Sequence, residues 1–187
     1  MLDHIQVCAV AHDNGGPPHP LVVLHFAAKD DSRYWLVVEA KAEATLHHID
    51  GLLRELWLEC CGHMSAFHVG RRELAMTTTA AMAFTAPKAR LEYEYDFGST
   101  TALTGTLVGD RRGAIGRDLV RLLARNESLG LPCSVCKAAA TIVCPYCIDT
   151  DNGLFCKAHA GTHEHADEEV YLPVVNSPRM GVCGYTG

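Results

Sequence analysis

The chain has no long hydrophobic run. Its longest apolar stretches, such as residues 21–26, fall far short of the roughly 20 residues a membrane-spanning helix requires. No basic segment leads into an apolar one near the start. Asp3 and His4 follow Met1 directly, so no secretory signal is expected. Positive charge is not in excess either: the net charge is −6. Residues 1–126 carry 13 Lys/Arg against 15 Asp/Glu, a net of −2, and residues 127–187 carry 3 against 7, a net of −4. Phosphate contacts supply most of the affinity of nucleic-acid binders, so the acidic C-terminal part argues against non-specific DNA binding there. Internal repeats and low-complexity tracts are missing. So are a dinucleotide fingerprint, a phosphate loop and a Ser/His/Asp or Cys/His nucleophile system. With 48% apolar and 20% charged residues over 187 positions, the expectation is a cytoplasmic globular protein without a membrane partner.

What the chain does have is cysteine, nine in all. An odd count opposes a fully paired disulfide framework, and a reducing compartment opposes disulfides altogether. Five of the nine lie between Cys133 and Cys156, while Cys8, Cys60, Cys61 and Cys183 are scattered. Dense local cysteine in that setting points to metal.

Hydrophobic periodicity predicts an α+β fold, a mixed sheet with one long packed helix; the cysteine-rich segment that follows reads as a small two-zinc module and the remainder as an extended tail. Residues 5–10, 21–27, 34–40 and 65–69 read as strands, with Lys29-Asp30-Asp31-Ser32 turning between the second and third. Leu46, Ile49, Leu52, Leu53, Leu56, Trp57 and Cys60 recur at three- and four-residue steps and predict a helix, with Thr45 as N-cap and Gly62 as stop. Leu91, Tyr93 and Tyr95 alternate with Glu92, Glu94 and Asp96, the period of a half-buried strand. Phe97-Gly98-Ser99 then turns into a partner strand over 101–108. Residues 118–125 read as a last short helix. Two prolines within 172–179 exclude regular helix from the tail. Three regions follow: an α+β domain over 1–126, a zinc-binding module over 133–165 and the extended tail over 166–187.

The cysteine cluster reads Cys133-x2-Cys136-x7-Cys144-x2-Cys147-x8-Cys156-x2-His159-x3-His163-x-His165. In Cys-x2-Cys a tight turn brings two thiolates onto one tetrahedral ion. Eight ligands in four pairs suffice for two closed sites. The alternative is one zinc on Cys133, Cys136, Cys144 and Cys147, with the histidines left as surface residues. Residues 138–143 read as a small hairpin, and Asp151-Asn152-Gly153 as a turn. In the two-ion reading no coordination position is vacant. The zinc would then be structural, holding a stretch of about 33 residues that hydrophobic burial alone would not hold.

This order of pairs resembles the interleaved zinc modules of the RING and B-box type, the B-box most closely because its later ligands are rich in histidine. The resemblance implies that pairs one and three share an ion, as do pairs two and four. Carried over, one zinc takes Cys133, Cys136, Cys156 and His159, and the other Cys144, Cys147, His163 and His165. Residues 53–63, Tyr93-Glu94-Tyr95-Asp96-Phe97-Gly98 and Leu122-Leu123-Ala124-Arg125-Asn126 are similar to the plasmid ORF-3-like family, a group often labelled transposon passenger proteins. The likeness covers most of residues 1–126, and the cysteine module with Asn176-Ser177-Pro178-Arg179 is similar to one subgroup. Where many members continue the Phe-Gly corner with an acidic residue and a tryptophan, this chain has Ser99-Thr100-Thr101. The resemblance implies an α+β fold and supports zinc, but it brings no known activity.

Three further features have competing readings. Asp96-Phe97-Gly98 matches a kinase tripeptide but lacks the accompanying loops, so it reads as a hairpin corner. Cys60, Cys61 and His63 sit at the expected helix end; they read as helix-end packing, with a thiol site, a further metal site or an enzymatic role as alternatives. Arg117, Arg121 and Arg125, with Arg111 and Arg112 upstream, would line one helical face. They read as a solvated face, with nucleic-acid contact as the alternative. The leading expectation is a non-enzymatic zinc protein that binds a protein partner. A DNA-associated accessory protein of a mobile element is the runner-up.

Overall fold

A computed structural model describes residues 10, 11, 13–86, 88–150, 152–166 and 170–187. The chain divides into two compact units, Met1–Glu55 with Met64–Asn126, and Leu56–His63 with Glu127–Gly187. The strand expected over 5–10 lies outside the described residues except for Val10, which is helical.

The first unit is built on seven strands: β1 (His19–Ala28), β2 (Trp35–Lys41), β3 (Ser65–Val69), β4 (Arg72–Leu74), β5 (Arg90–Tyr95), β6 (Thr101–Gly113) and β7 (Val120–Arg125). Their order is β4-β3-β5-β6-β1-β2-β7. Every pairing is antiparallel, so the sheet is not the mixed one expected. Turns of a few residues join β1 to β2, β3 to β4 and β5 to β6, and such short links cannot make the crossover a parallel pair needs. Strand β6 is longer than expected because β1 offers it a partner as far as the pair His19↔Gly113.

Residues 118–125 form no helix. Val120–Arg125 is an edge strand, paired from Ala40↔Val120 to Leu36↔Arg125. A short apolar run satisfies either period, and the open edge of β2 decides in favour of the strand.

The expected long helix is also shorter. Helix α1 spans Leu46–Leu53 and gives way to a five-residue π-helical stretch, Arg54–Leu58. It therefore ends before Cys60, and Gly62 (φ 73°) lies in the turn beyond, its N–H donating to Glu59 Oε1 at 2.6 Å. Thr45 does occupy the N-cap, and its backbone N–H donates to His48 Nδ1 at 3.1 Å. Strand β4 and a single helical turn, α2 (Ala80–Ala83), were not foreseen.

Leu46, Ile49 and Leu53 of α1 are fully buried, as are Phe26, Leu36, Phe67, Tyr93 and Leu103 of the sheet. Gly105 sits in β6 because a Cβ there would come within 2.6 Å of the Phe26 ring. A polar knot fixes α1 on the sheet. Buried Asp50 accepts from Tyr93 Oη at 2.8 Å and from Ser65 Oγ at 2.6 Å. Arg54 adds an ion pair to Asp50 at 3.7 Å and lies 5.1 Å from the centre of the Tyr95 ring. Burial, and then the Asp50 charge, push the Tyr93 phenol well above its ordinary pKa, so it stays a donor.

A second knot involves the arginines of the expected basic strip. Glu39 on β2 is fully buried and accepts from Arg111 Nε at 2.6 Å and from the Arg121 terminal nitrogen at 2.7 Å. Asp13 reaches both guanidiniums, at 2.7 and 3.6 Å. Truncating one partner of a buried charge network strands the others, so Glu39→Ala should cost on the order of 3–5 kcal/mol in denaturant unfolding; a change below about 1 kcal/mol would contradict this account. Conversely, a Cβ at exposed Gly51 in α1 meets nothing within 4 Å. Gly51→Ala should raise stability by roughly 0.5–1 kcal/mol, read as a higher melting temperature.

Candidate metal centres

The second unit gathers its cysteines and histidines into three groups, each with ligand atoms all within 4.8 Å of one another. Each group can hold a metal ion.

The first group is Cys133, Cys136, Cys156 and His159. Two local structures present it. After Cys133 the chain makes a tight knuckle in which the Lys137 N–H donates to the Cys133 carbonyl at 3.1 Å, with Lys137 at φ 65°. Cys156 is the N-cap of helix α3 (Lys157–Ala160), and one helical turn lays His159 over it, Nδ1 to Sγ 3.3 Å. Cys136 Sγ lies 3.8 Å from Cys156 Sγ, and Cys133 Sγ 3.7 Å from His159 Nδ1. Ligands on one tetrahedral zinc stand about 3.8 Å apart for two sulfurs and about 3.6 Å for sulfur and nitrogen, given the usual bond lengths. The donor set fits.

Electrostatics divide the three thiols: Cys133 and Cys156 are lowered, while at Cys136 the Ala138 N–H is outweighed by burial and the Cys156 and Cys133 sulfurs, which raise it. Burial opposes ionisation of the Cys133 thiol, but the N–H groups of Cys136, Cys156 and Val135 and the nearby His159 outweigh it and bring its pKa down to about 6. The His159 N–H, above all, lowers Cys156 as well. Such N–H donors favour the thiolate, which is the metal-binding form.

The second group is Cys144, Cys147, His163 and His165. His165 Nδ1 lies 3.4 Å from Cys144 Sγ and 3.5 Å from Cys147 Sγ, and His163 Nε2 lies 3.5 Å from Cys147 Sγ. Two histidines separated by one residue would point apart on a strand. Here residues 161–166 run through turns and bends, so one ring offers Nε2 and the other Nδ1. Between the two groups lies a small apolar cluster of Cys133, Cys144, Phe155 and Ala160, with Phe155 4.4 Å from the His163 ring. Three two-residue strands frame it: β8 (Ile142–Val143) pairs with β9 (Leu154–Phe155) on one side and β10 (Leu172–Pro173) on the other. The hairpin expected within 138–143 is not formed within that segment: Ala139 pairs back with Pro132, while Ile142 and Val143 pair with residues farther along.

The two Cys-x2-Cys pairs fall in separate groups, each with its own later pair. The third group, Cys60, Cys61, His63 and Cys183, adds Cys183 to three residues read mainly as helix-end packing. Its missed signal was the odd tail cysteine left over beside a Cys-Cys-x-His run. The neighbouring sulfurs of Cys183 and then Cys60 hold the Cys61 thiol up at about 11.

Of the arginines read as possible nucleic-acid contacts, Arg121 and Arg125 lie on strand β7 and Arg117 before it, so they share no helical face. Arg121 is engaged by Glu39, and Arg117 is exposed. The Asp96-Phe97-Gly98 corner is a turn between β5 and β6, closed by the Gly98 N–H on Asp96 Oδ1 at 3.0 Å. No helix among the described residues is long and apolar enough to cross a membrane.

No family model matches the chain, and no curated protein matches it. Among solved structures it is similar to a protein of unknown function, MM3350 from Methanosarcina mazei Go1. The likeness is 12% identical, covers 59% of this chain and 70% of that one, and has a TM-score of 0.48.

Gly153 shows how tightly the second group is framed. Its carbonyl accepts the Cys144 N–H at 2.8 Å, and a Cβ on it would stand 2.5 Å from the Ile148 backbone nitrogen. Gly153→Ala should therefore destabilise the second unit by roughly 1–3 kcal/mol and weaken metal retention in chelator competition. Unchanged retention would count against this framing role.

Proposed function

We propose that the chain is a zinc protein whose second unit is built around two structural zinc ions and serves as a protein-interaction module, without catalysis at the metal. The observation that carries this reading is the complete donor set. Cys133, Cys136, Cys156 and His159 supply four ligands to one ion, and Cys144, Cys147, His163 and His165 supply four to the other. Four protein donors at tetrahedral spacing leave no position for substrate or water, which is the mark of a structural site. Zinc is favoured over other metals because mixed thiolate and imidazole donors in tetrahedral array suit it.

The interaction role rests on what the two knuckles display. Each holds a large apolar side chain outward at the same place, immediately before the second cysteine: Val135 is 61% exposed and Tyr146 60%. Exposed apolar groups on a rigid, metal-fixed loop favour a protein partner, and the acidic balance of residues 127–187 disfavours phosphate. Kinship with the plasmid ORF-3-like group and a cytoplasmic location belong to the same proposal.

The DNA-associated reading is weakened by the engagement of Arg111 and Arg121 with Glu39 and Asp13. It requires salt-dependent binding to duplex DNA that weakens on Arg117→Ala. We expect no binding even at low salt. For the interaction role, affinity capture with the full chain should yield a discrete partner. The double variant Val135→Ser/Tyr146→Ser should lose that partner while keeping its zinc. A partner retained undiminished by the double variant would refute the role of the knuckles.

A further inference from the structure

We propose that Cys60, Cys61, His63 and Cys183 form a third zinc site, more accessible and more labile than the other two, which fastens the C-terminal tail to the segment following the π-helical stretch. All four residues lie in the second unit. Their ligand atoms lie within 4.8 Å of one another. Cys61 Sγ is 3.9 Å from Cys183 Sγ, and His63 Nε2 is 3.3 Å from the same sulfur. These separations are close to the about 3.8 Å and about 3.6 Å expected on one tetrahedral ion.

Sequence-distant parts of the unit are shaped to bring the four together. Gly62, at φ 73°, reverses the chain between Cys61 and His63. On the other side Cys183 adopts φ 51°, between Gly181 at 82° and Gly184 at 69°. A cysteine in the left-handed region is held there by its surroundings, and the surroundings are specific. Ser177 Oγ donates to the Trp57 carbonyl at 2.6 Å and accepts the Arg179 N–H at 2.9 Å. The Val182 N–H donates to the Arg179 carbonyl at 3.1 Å, and the Tyr185 N–H to that of Val182 at 3.0 Å.

Charge is matched as well. Three thiolates around one divalent ion leave a net of about −1. Arg179, fully buried, donates its Nε–H to Cys60 Sγ at 3.4 Å and supplies the opposite charge.

The accessibility of the site follows from exposure. Cys61 and Cys183 are exposed and Cys60 and His63 half-buried, whereas the first group has one exposed ligand, Cys136, the second has none, and each has a buried thiol, Cys133 or Cys144. Chelators and competing thiols therefore reach this ion first. Because the chain supplies all four donors, the site acts as a clasp with no vacant position for catalysis.

The experiment is elemental metal analysis of the purified full chain beside its Cys61→Ser/Cys183→Ser variant, followed by chelator challenge of both. The variant should hold one zinc fewer per chain than the unmodified protein. It should also lack the fastest phase of zinc release, while its slower phases are unchanged. The readout is the decrement, so it stands apart from the count at the other two groups. His63→Ala provides a second variant that leaves every cysteine in place, and it should show the same loss of one ion. Equal zinc content in all three proteins would overturn the proposal, as would a Cys61–Cys183 disulfide in protein purified under reducing conditions.

Discussion

Around its candidate metal ligands the second unit has little to bury. Between its short strands the central cluster is Cys133, Cys144, Phe155 and Ala160, and two of those four are themselves candidate metal ligands. Its strands are two residues each, too short for their hydrogen bonds to carry a fold. The stretch from Cys133 to His165 is short enough that a cross-link is the usual means of holding it, and its free cysteines and histidines stand where metal could supply that cross-link. Everything else in the unit is arranged around that constraint: the Lys137 knuckle, the Cys156 cap on α3, the close backbone approach at Gly153 and the bent path through 161–166. Each sets a donor atom, and none adds much apolar area.

The first unit solves the same problem by other means. It has an extensive sheet, a helix with three fully buried leucine or isoleucine side chains, and two buried ionic knots at Asp50 and Glu39. Burial of apolar area supplies the favourable free energy. The knots add little net energy but fix register, since a slipped strand would leave Glu39 without Arg111 and Arg121. The same pairing removes those arginines from the surface and with them most of the case for phosphate binding.

Legibility in the sequence followed physical range. Local signals were readable: the alternation of Leu91, Tyr93 and Tyr95, the cap at Thr45, the ligand pairs from Cys133 to His165. The partition of those pairs into two groups came from a resemblance rather than from spacing, which left a four-cysteine site open. Features set by distant partners were hidden. Val120–Arg125 reads as a helix until the open edge of β2 is known. The helix at Leu46 was read too far because its apolar period continues through a π-helical stretch that periodicity does not distinguish. Cys183 stands more than a hundred residues from Cys61, and no local pattern joins them.

The central claim is that metal coordination, rather than hydrophobic burial, holds the second unit together. It is tested most directly by following backbone amide resonances of the full chain while a strong chelator removes the metal. The account predicts that resonances from residues 127–187 collapse to unfolded positions, while those of the seven-stranded sheet stay dispersed. A metal-free protein in which residues 127–187 keep their dispersed resonances would contradict it.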